Sequence, residues 1–307
     1  MTNKRMAKTT FIAAMVLLAA AVSALAWTIG APGRQRERTQ RDRDKDRDHP
    51  TETETRSFAV NGIPDVKLET FDGSVSVRGW DKSEVAVTAI KMGRTAEALQ
   101  TIRLRIEQHG SEVAAIAESD RSGYDHRDWT NVRFEVTVPR EANLRVSSGD
   151  GSLQVDGVEG RMDLKTGDGS VRAERVAGEM EVKTGDGSIT VSEGRGRLHV
   201  STGDGRIDIL KFNGEAEAYT NDGRITLDGS FTGLKARTGD GSITLGLPAD
   251  FNATVETTSP SIIVQGLSAT EETYSTDLIR RWRIGNGGNL LSLKTGDGRI
   301  IVRRAVQ

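Results

Sequence analysis

A glycine-flanked aspartate returns along this chain at a fixed interval, and that interval constrains the fold more than any other feature. The aspartates are Asp150, Asp168, Asp186, Asp204, Asp222 and Asp240, each 18 residues after the last, in the words SGDGSL, TGDGSV, TGDGSI, TGDGRI, TNDGRI and TGDGSI. Six instances in phase mark an internal repeat, a unit that buries its apolar face only by stacking on its neighbours. Three and five residues after the aspartate stand Leu153/Val155, Val171/Ala173, Ile189/Val191, Ile207/Ile209, Ile225/Leu227 and Ile243/Leu245. Nine residues further on stand Met162/Leu164, Met180/Val182, Leu198/Val200, Ala216/Ala218 and Leu234/Ala236. Both sets alternate with polar residues, the period-2 mark of a strand with one buried face.

Each unit therefore reads as two short strands joined by two turns. One turn is the Gly-Asp-Gly; the other carries Val158, Val176, Gly194 or Phe212, with Gly160, Gly178, Gly196 and Gly214 close behind. A propeller blade needs roughly 40 residues, and a hairpin meander needs no such uniformity in both turns. Stacking in register at about 4.8 Å does require it. The expectation is an all-β, single-chain β-solenoid, β-helix-like, with 18-residue coils of two short strands, preceded by an irregular β cap. An outward column supports the stacking: Arg161, Glu179, Arg197 and Glu215 alternate in sign, so stacked neighbours would pair instead of repelling.

The repeat decays at both ends. ETFDGSVSV around Asp72 is an early copy, and LKTGDGRIIV restores the pattern at Asp297 after an insertion at about residues 267–289. Before the regular array, Val85/Val87/Ala89, Ile102/Leu104/Ile106, Val113/Ala115/Ala117 and Phe134/Val136/Val138 alternate like strands, with a short helical turn near residues 96–100. The predicted organisation is 1–26 a signal peptide or membrane anchor, 27–56 a charged disordered linker, 57–146 an N-terminal β cap, and 147–307 the repeat array.

The N-terminal segment has a basic start (Lys4, Arg5, Lys8), an apolar run over residues 11–26, and Ala24-Leu25-Ala26 in the small-x-small pattern of a signal-peptidase site. Trp27, Thr28, Ile29 and Gly30 extend it towards the roughly 20 residues that span a bilayer, so a retained anchor stays open. Either alternative predicts an extracytoplasmic location (periplasm, cell surface or secreted), with membrane association through this segment in the second. Residues 34–56 are almost entirely charged or polar; Asp42, Asp44, Asp46 and Asp48 alternate with Arg41, Arg43, Lys45 and Arg47, which nearly cancels the local field. A net charge of -2 gives no reason to expect nucleic acid as a partner, and the absence of cysteine excludes a disulfide framework and a thiolate metal site.

As chemistry, the Gly-Asp-Gly word reads first as a corner. The glycines would permit positive φ, and the aspartate would hydrogen-bond its own backbone two residues on. A calcium column is the sharper alternative, but the opposite turn offers only Asp156, Glu174, Ser192, Leu210 and Asp228 at the matching place, too irregular for a ligand set. Structural turns are thus assigned to Asp72, Asp150, Asp168, Asp186, Asp204, Asp222, Asp240 and Asp297, with no metal and no cofactor. His49, His109, His126 and His199 are far apart in sequence; His126-Arg127-Asp128 lacks every other kinase element, and no nucleophile elbow, His-Glu-x-x-His or Walker lysine is present. No catalytic residue is expected. Exposed aromatics could form a partner patch: Tyr124 and Trp129 in one loop, Tyr274 and Trp282 in the insertion, each otherwise a cover over an open end of the core.

The words TGDGSI, TGDGRI and GNGGNLLSLKTGDGRI, with the opening VNG…VKLETFDGSVSV, resemble the DUF4097 adhesin-like family over residues 58–304. The resemblance implies an extracytoplasmic β-strand-repeat module with no catalytic residue to carry over. It leaves two functional expectations: a non-catalytic adhesin-like structural and interaction module facing an envelope or surface protein or polymer, or an envelope-stress accessory or sensor that binds a membrane partner or peptide.

Overall fold

The repeat interval becomes strand register. The computed structural model describes residues 49–120, 129–259, 261–272 and 279–305. The first strands are β1 (Thr51–Ala59), β2 (Asp65–Thr70), β3 (Val75–Trp80) and β4 (Glu84–Gly93). A one-turn helix α1 (Ala96–Leu99), capped by the Thr95 hydroxyl, leads to β5 (Ile102–His109), β6 (Glu112–Ser119) and β7 (Thr130–Pro139). The regular array is β8 (Asn143–Ser148), β9 (Leu153–Asp156), β10 (Glu159–Lys165), β11 (Val171–Glu174), β12 (Ala177–Lys183), β13 (Ile189–Ser192), β14 (Arg195–Ser201), β15 (Ile207–Tyr219), β16 (Ile225–Arg237) and β17 (Ile243–Leu247). The last strands are β18 (Ala253–Thr257), β19 (Ile262–Gln265), β20 (Ala269–Glu272), β21 (Arg280–Ile284), β22 (Asn289–Lys294) and β23 (Ile300–Arg304). The protein is all-β, its strands hydrogen-bonded into one sheet of 23 strands.

From β8 to β14 every strand pairs in parallel with the residues 18 further on: Leu144 with Met162, Met162 with Met180, Met180 with Leu198, and Val171 with Ile189. The step holds on to Ile225 with Ile243, beyond which the second half of β16 pairs with β22, and β17 with β23. Two ladders result, β8–β10–β12–β14 and β9–β11–β13, joined through the 13-residue strands β15 and β16, which run on through the second turn with local irregularities at Phe212 and Glu215. The predicted apolar columns are the core: Leu153, Val171, Ile189, Ile207 and Ile225 are at most 1% exposed. Fully burying such an aliphatic side chain contributes about 1.5–3 kcal/mol. Where Ala216 and Ala218 narrow the column, Phe212 and Phe231 stack at 6.2 Å to fill it.

The ends do not follow chain order. β2 lies between β6 and β8, and β3 between β7 and β9, so the unit of Asp72 docks directly on that of Asp150. At the other end β22 sits between β16 and β18, and β23 between β17 and β19. The last repeat is therefore inserted between β16/β17 and β18/β19, both of which precede it in sequence. β21 and then β20 add antiparallel beyond β18, and β4 with β1 add antiparallel beyond β7.

One boundary moves. Residues 51–56, placed in the disordered linker, belong to β1, which pairs along its whole length with β4. Its Thr-Glu alternation has no apolar period, yet β-branched threonines suit a strand and ladder hydrogen bonds need no burial. The N-terminal segment at 1–26 and the rest of the charged stretch to residue 48 lie outside the described residues.

Candidate interaction surface

The Gly-Asp-Gly turns stack into one edge of the array, and their chemistry differs from the expected self-capping corner. Asp150 Oδ1 accepts the backbone N–H of Asp168 at 3.4 Å, Asp168 that of Asp186 at 3.3 Å, and Asp186 that of Asp204 at 3.2 Å. Each aspartate thus reaches across to the next unit, not two residues along its own backbone. Asp204, Asp222, Asp240 and Asp297 occupy the same column; the early Asp72 instead accepts from the Thr70 hydroxyl and the Val132 N–H through its carbonyl. The motif glycines are not there for positive φ either. Among the eight turns only Gly73 has it, at 123°. A Cβ on Gly169, Gly187 or Gly205 would meet the carbonyl oxygen of the preceding unit's glycine at 2.2, 2.1 and 2.1 Å. The glycines allow close stacking of one turn on the next.

The residue before each Gly-Asp-Gly carries a function that sequence reasoning missed. Thr166, Thr184, Thr202, Thr220, Thr238 and Thr295 are buried, and each hydroxyl donates to two carbonyls of the preceding turn, Thr202 to Gly185 at 3.0 Å and Gly187 at 2.9 Å. Ser148 takes the same role towards Gly73 at 2.9 Å. The signal was present as the repeated T of TGDG. These threonine hydroxyls and the Asp150, Asp168 and Asp186 carboxylates are directed at a neighbouring unit. Among the described residues no three His, Cys, Asp or Glu side chains converge in a way that could hold a metal ion.

On the opposite turn, Arg175, Glu193 and Lys211 are left-handed, at φ 51°, 55° and 52°, in line with Gly157 at 69°. This conformation disfavours any residue with a Cβ, and only Gly157 hints at it in the sequence. Arg175 pairs with Asp156 at 2.5 Å and Lys211 with Glu193 at 3.2 Å, each bridging neighbouring units.

The aromatic candidates do not form one patch. Trp129 precedes β7, is 40% exposed and meets His49 edge-on at 5.0 Å. Trp282 on β21 faces Val255, packs against the core and has a buried Nε1 with no hydrogen-bond partner among the described residues. They stand at opposite ends of the strand order. Tyr124, Tyr274 and His126 lie outside the described residues.

A concave site lies elsewhere, on the outward face of β6, β2, β8, β10, β12 and β14, as a groove of about 570 Å³. Val66, Leu144, Met162 and Met180 pass beneath it, their side chains turned into the core and at most 4% exposed. One outward row crosses it in register as Glu112, Asp65, Asn143, Arg161, Glu179 and Arg197; the next row holds Lys67, Arg145, Asp163, Glu181 and His199. Asn143 ties three neighbouring strands together within the first row, donating to Asp65 Oδ1 at 3.0 Å and accepting the Arg161 N–H at 3.1 Å.

The alternating column closes only in part. Arg197 pairs with Glu215 at 3.2 Å, but Arg161 and Glu179 form no ion pair among the described residues, nor does Arg145. Several charges pair two residues along their own strand instead: Lys67 with Glu69 at 3.0 Å, Lys165 with Asp163 at 2.8 Å, and Lys183 with Glu181. The Lys183 hydrogen bond holds the Glu181 carboxyl below the usual range. Beyond the groove's end, Glu217 accepts from Lys235 at 2.7 Å and lies 3.3 Å from His199 Nδ1; the Lys235 hydrogen bond lowers its pKa first and His199 adds to that. Burial raises the neighbouring Tyr219 hydroxyl.

This architecture defines a class of all-β repeat protein whose units pair in parallel at a fixed 18-residue offset and present charged outward rows. The chain belongs to the Toastrack DUF4097 family, whose profile matches residues 65–303. Solved structures similar to it include a provisionally named cell adhesion protein from Clostridium sporogenes, 12% identical, with 83% of this chain and 100% of that one covered and a TM-score of 0.27. A provisionally named adhesin from Bacteroides fragilis is 13% identical, with 83% and 97% covered and a TM-score of 0.39. A provisionally named lipid binding protein from Parabacteroides distasonis is 13% identical, with 81% and 96% covered and a TM-score of 0.42. No curated protein matches the chain.

Proposed function

We propose that this chain is a non-catalytic, extracytoplasmic interaction module whose repeat units are the coils of a β-solenoid, and whose charged outward face binds an envelope or surface partner. The observation that carries the reading is the division of labour between faces. Asp, Thr and Gly of the turn edge are committed to holding one unit on the next, whereas the groove keeps Arg145, Arg161 and Glu179 out of any ion pair among the described residues. Membership of the Toastrack family and the signal-like N-terminal residues agree with it.

Two measurements test the reading. Fractionation of cells expressing the full chain, with N-terminal sequencing of the product, is expected to recover it outside the cytoplasm; recovery only from the cytosol refutes the location. Sedimentation of the purified protein with envelope material is expected to fall at least fivefold in Arg145→Gln/Arg161→Gln; equal sedimentation of a normally folded variant refutes the binding face.

A further inference from the structure

We infer that the groove on β6, β2, β8, β10, β12 and β14 is a site for a small or terminal zwitterionic group, with its anion held between Arg145 and Arg161 and its ammonium directed to Glu179. The inference rests on the binding-face reading above and gives the ligand a chemical class. Arg145 is the register partner of Asp163, two residues from Arg161 on the adjacent strand. The two arginines are therefore diagonal neighbours, roughly 8 Å apart from one strand spacing and two residue rises. A phosphate or carboxylate seated between them could take donors from both guanidinium forks, the geometry for which arginine is suited.

The same site does not suit an anion alone. Arg161 has Glu179 directly beside it in register, about one strand spacing of 4.8 Å away. On the other side Asp65 and Glu112 follow one another in register, and Asp65 is also in register with Asn143, so the arginine pair is flanked by carboxylates in both directions. Asp163 adds negative charge on the same face, in register beside Arg145: its Oδ2 takes Lys165, and its Oδ1 is buried without a hydrogen-bond partner among the described residues. A ligand carrying only negative charge meets these carboxylates, and one carrying only positive charge meets the arginines. A ligand with an anion and an ammonium about 5 Å apart satisfies both. The volume of about 570 Å³ lies within the range of small-ligand sites.

Phosphoethanolamine is the probe. Calorimetric titration of the full chain at low ionic strength is expected to give saturable binding. Arg145→Gln or Arg161→Gln should weaken it at least tenfold. Glu179→Gln should weaken phosphoethanolamine about fivefold while leaving inorganic phosphate equal or tighter, a split that a merely structural role would not produce. Arg175→Gln, on the opposite turn, should change neither, and melting curves verify that each variant is folded. Vesicles with phosphatidylethanolamine against vesicles with phosphatidylglycerol distinguish the sources: binding of the free probe without vesicles indicates a soluble or polymer-borne group, and preferential, Arg161-dependent binding to the first vesicles indicates a lipid headgroup. The proposal is overturned if neither the probe nor the vesicles bind, if Arg175→Gln weakens binding as much as Arg161→Gln, or if Glu179→Gln tightens both ligands. If the probes fail while envelope sedimentation still depends on Arg145 and Arg161, the ligand class is wrong and the binding face stands.

Discussion

The middle of the ladder and its two ends use the same turn and the same apolar columns but are assembled differently. In the middle, each unit docks on the one 18 residues before it, as Met180 does on Met162. At the ends, Leu68 pairs with Val146 and Leu234 with Leu291, across 78 and 57 residues of chain. Local pairing closes short loops, whereas the end units need distant segments brought together first. The middle therefore owes its stability to neighbours in sequence. Each end depends on one inserted unit, β2/β3 or β22/β23, that joins an outer unit to the rest.

The largest effect is expected in the middle, at the turn glycines. Gly187→Ala would place a Cβ 2.1 Å from the Gly169 carbonyl oxygen, and two backbones must part to admit it. We expect a loss of about 4 kcal/mol or more. Gly62→Ala, where nothing lies within 4 Å, should lose about 1 kcal/mol, from its φ of +76°; chemical denaturation compares the two. Equal losses would show that the close stacking is unimportant.

Leu291→Ala tests an end. Leu291 is fully buried between Leu234 and Val255, and a loss of about 3 kcal/mol is expected. Hydrogen exchange should then rise in β18 and β21 while β10, β12 and β14 stay protected; a uniform rise would mean that ends and middle unfold as one unit.

Thr202→Val removes one hydroxyl from the middle and should cost about 1–3 kcal/mol, the penalty of leaving the Gly187 carbonyl without its donor while Gly185 keeps the Gly203 N–H. Ser259 at the C-terminal end accepts a long 3.3 Å bond from the Thr295 N–H and donates one to the Thr295 carbonyl, so Ser259→Ala should cost less.

The smallest effect is a gain. Burial raises the Asp228 carboxyl above its ordinary value, with Arg303 opposing. A raised folded pKa means that the fold favours the protonated form, so Asp228 is best tolerated below about pH 4 and becomes unfavourable as pH rises through the folded value. Asp228→Asn should raise the melting temperature slightly at pH 7 and make no difference in acid; a lower melting temperature at pH 7 would contradict this sign.

Much of this was legible because strand burial has a period of two and the units repeat in phase. Leu153, Val171 and Ile189 could be placed on one inner column, and Met162 and Met180 on another, from spacing alone. The alternations of residues 85–89, 102–106, 113–117 and 134–138 are β4, β5, β6 and β7, and the helical turn near residues 96–100 is α1. The meaning of the turn was less legible. TGDG shows which residues are constrained, but φ and the gap to the next unit are tertiary quantities, so the glycines pointed to positive φ and the threonines to nothing. The charged columns were readable as columns; which members pair depends on side-chain reach, and Arg161 and Glu179 remain outside any ion pair among the described residues while Arg197 reaches Glu215.

By itself, the sequence determined the strand period, the 18-residue unit, the inner columns and the family, because each depends on residue types at fixed short separations. Only the tertiary structure decided the order of the end units and the position of the groove. Every turn edge in the array offers nearly the same hydrogen-bonding surface, so the motif of Asp297 could dock on more than one partner. Side-chain fit selects the site actually used, where Asn289 donates to the Phe231 carbonyl at 3.1 Å and Leu291 completes the column between Leu234 and Val255. At the other end, insertion of β2 between β6 and β8 brings Asp65 and Glu112 beside Asn143 and closes one side of the groove around Arg145 and Arg161.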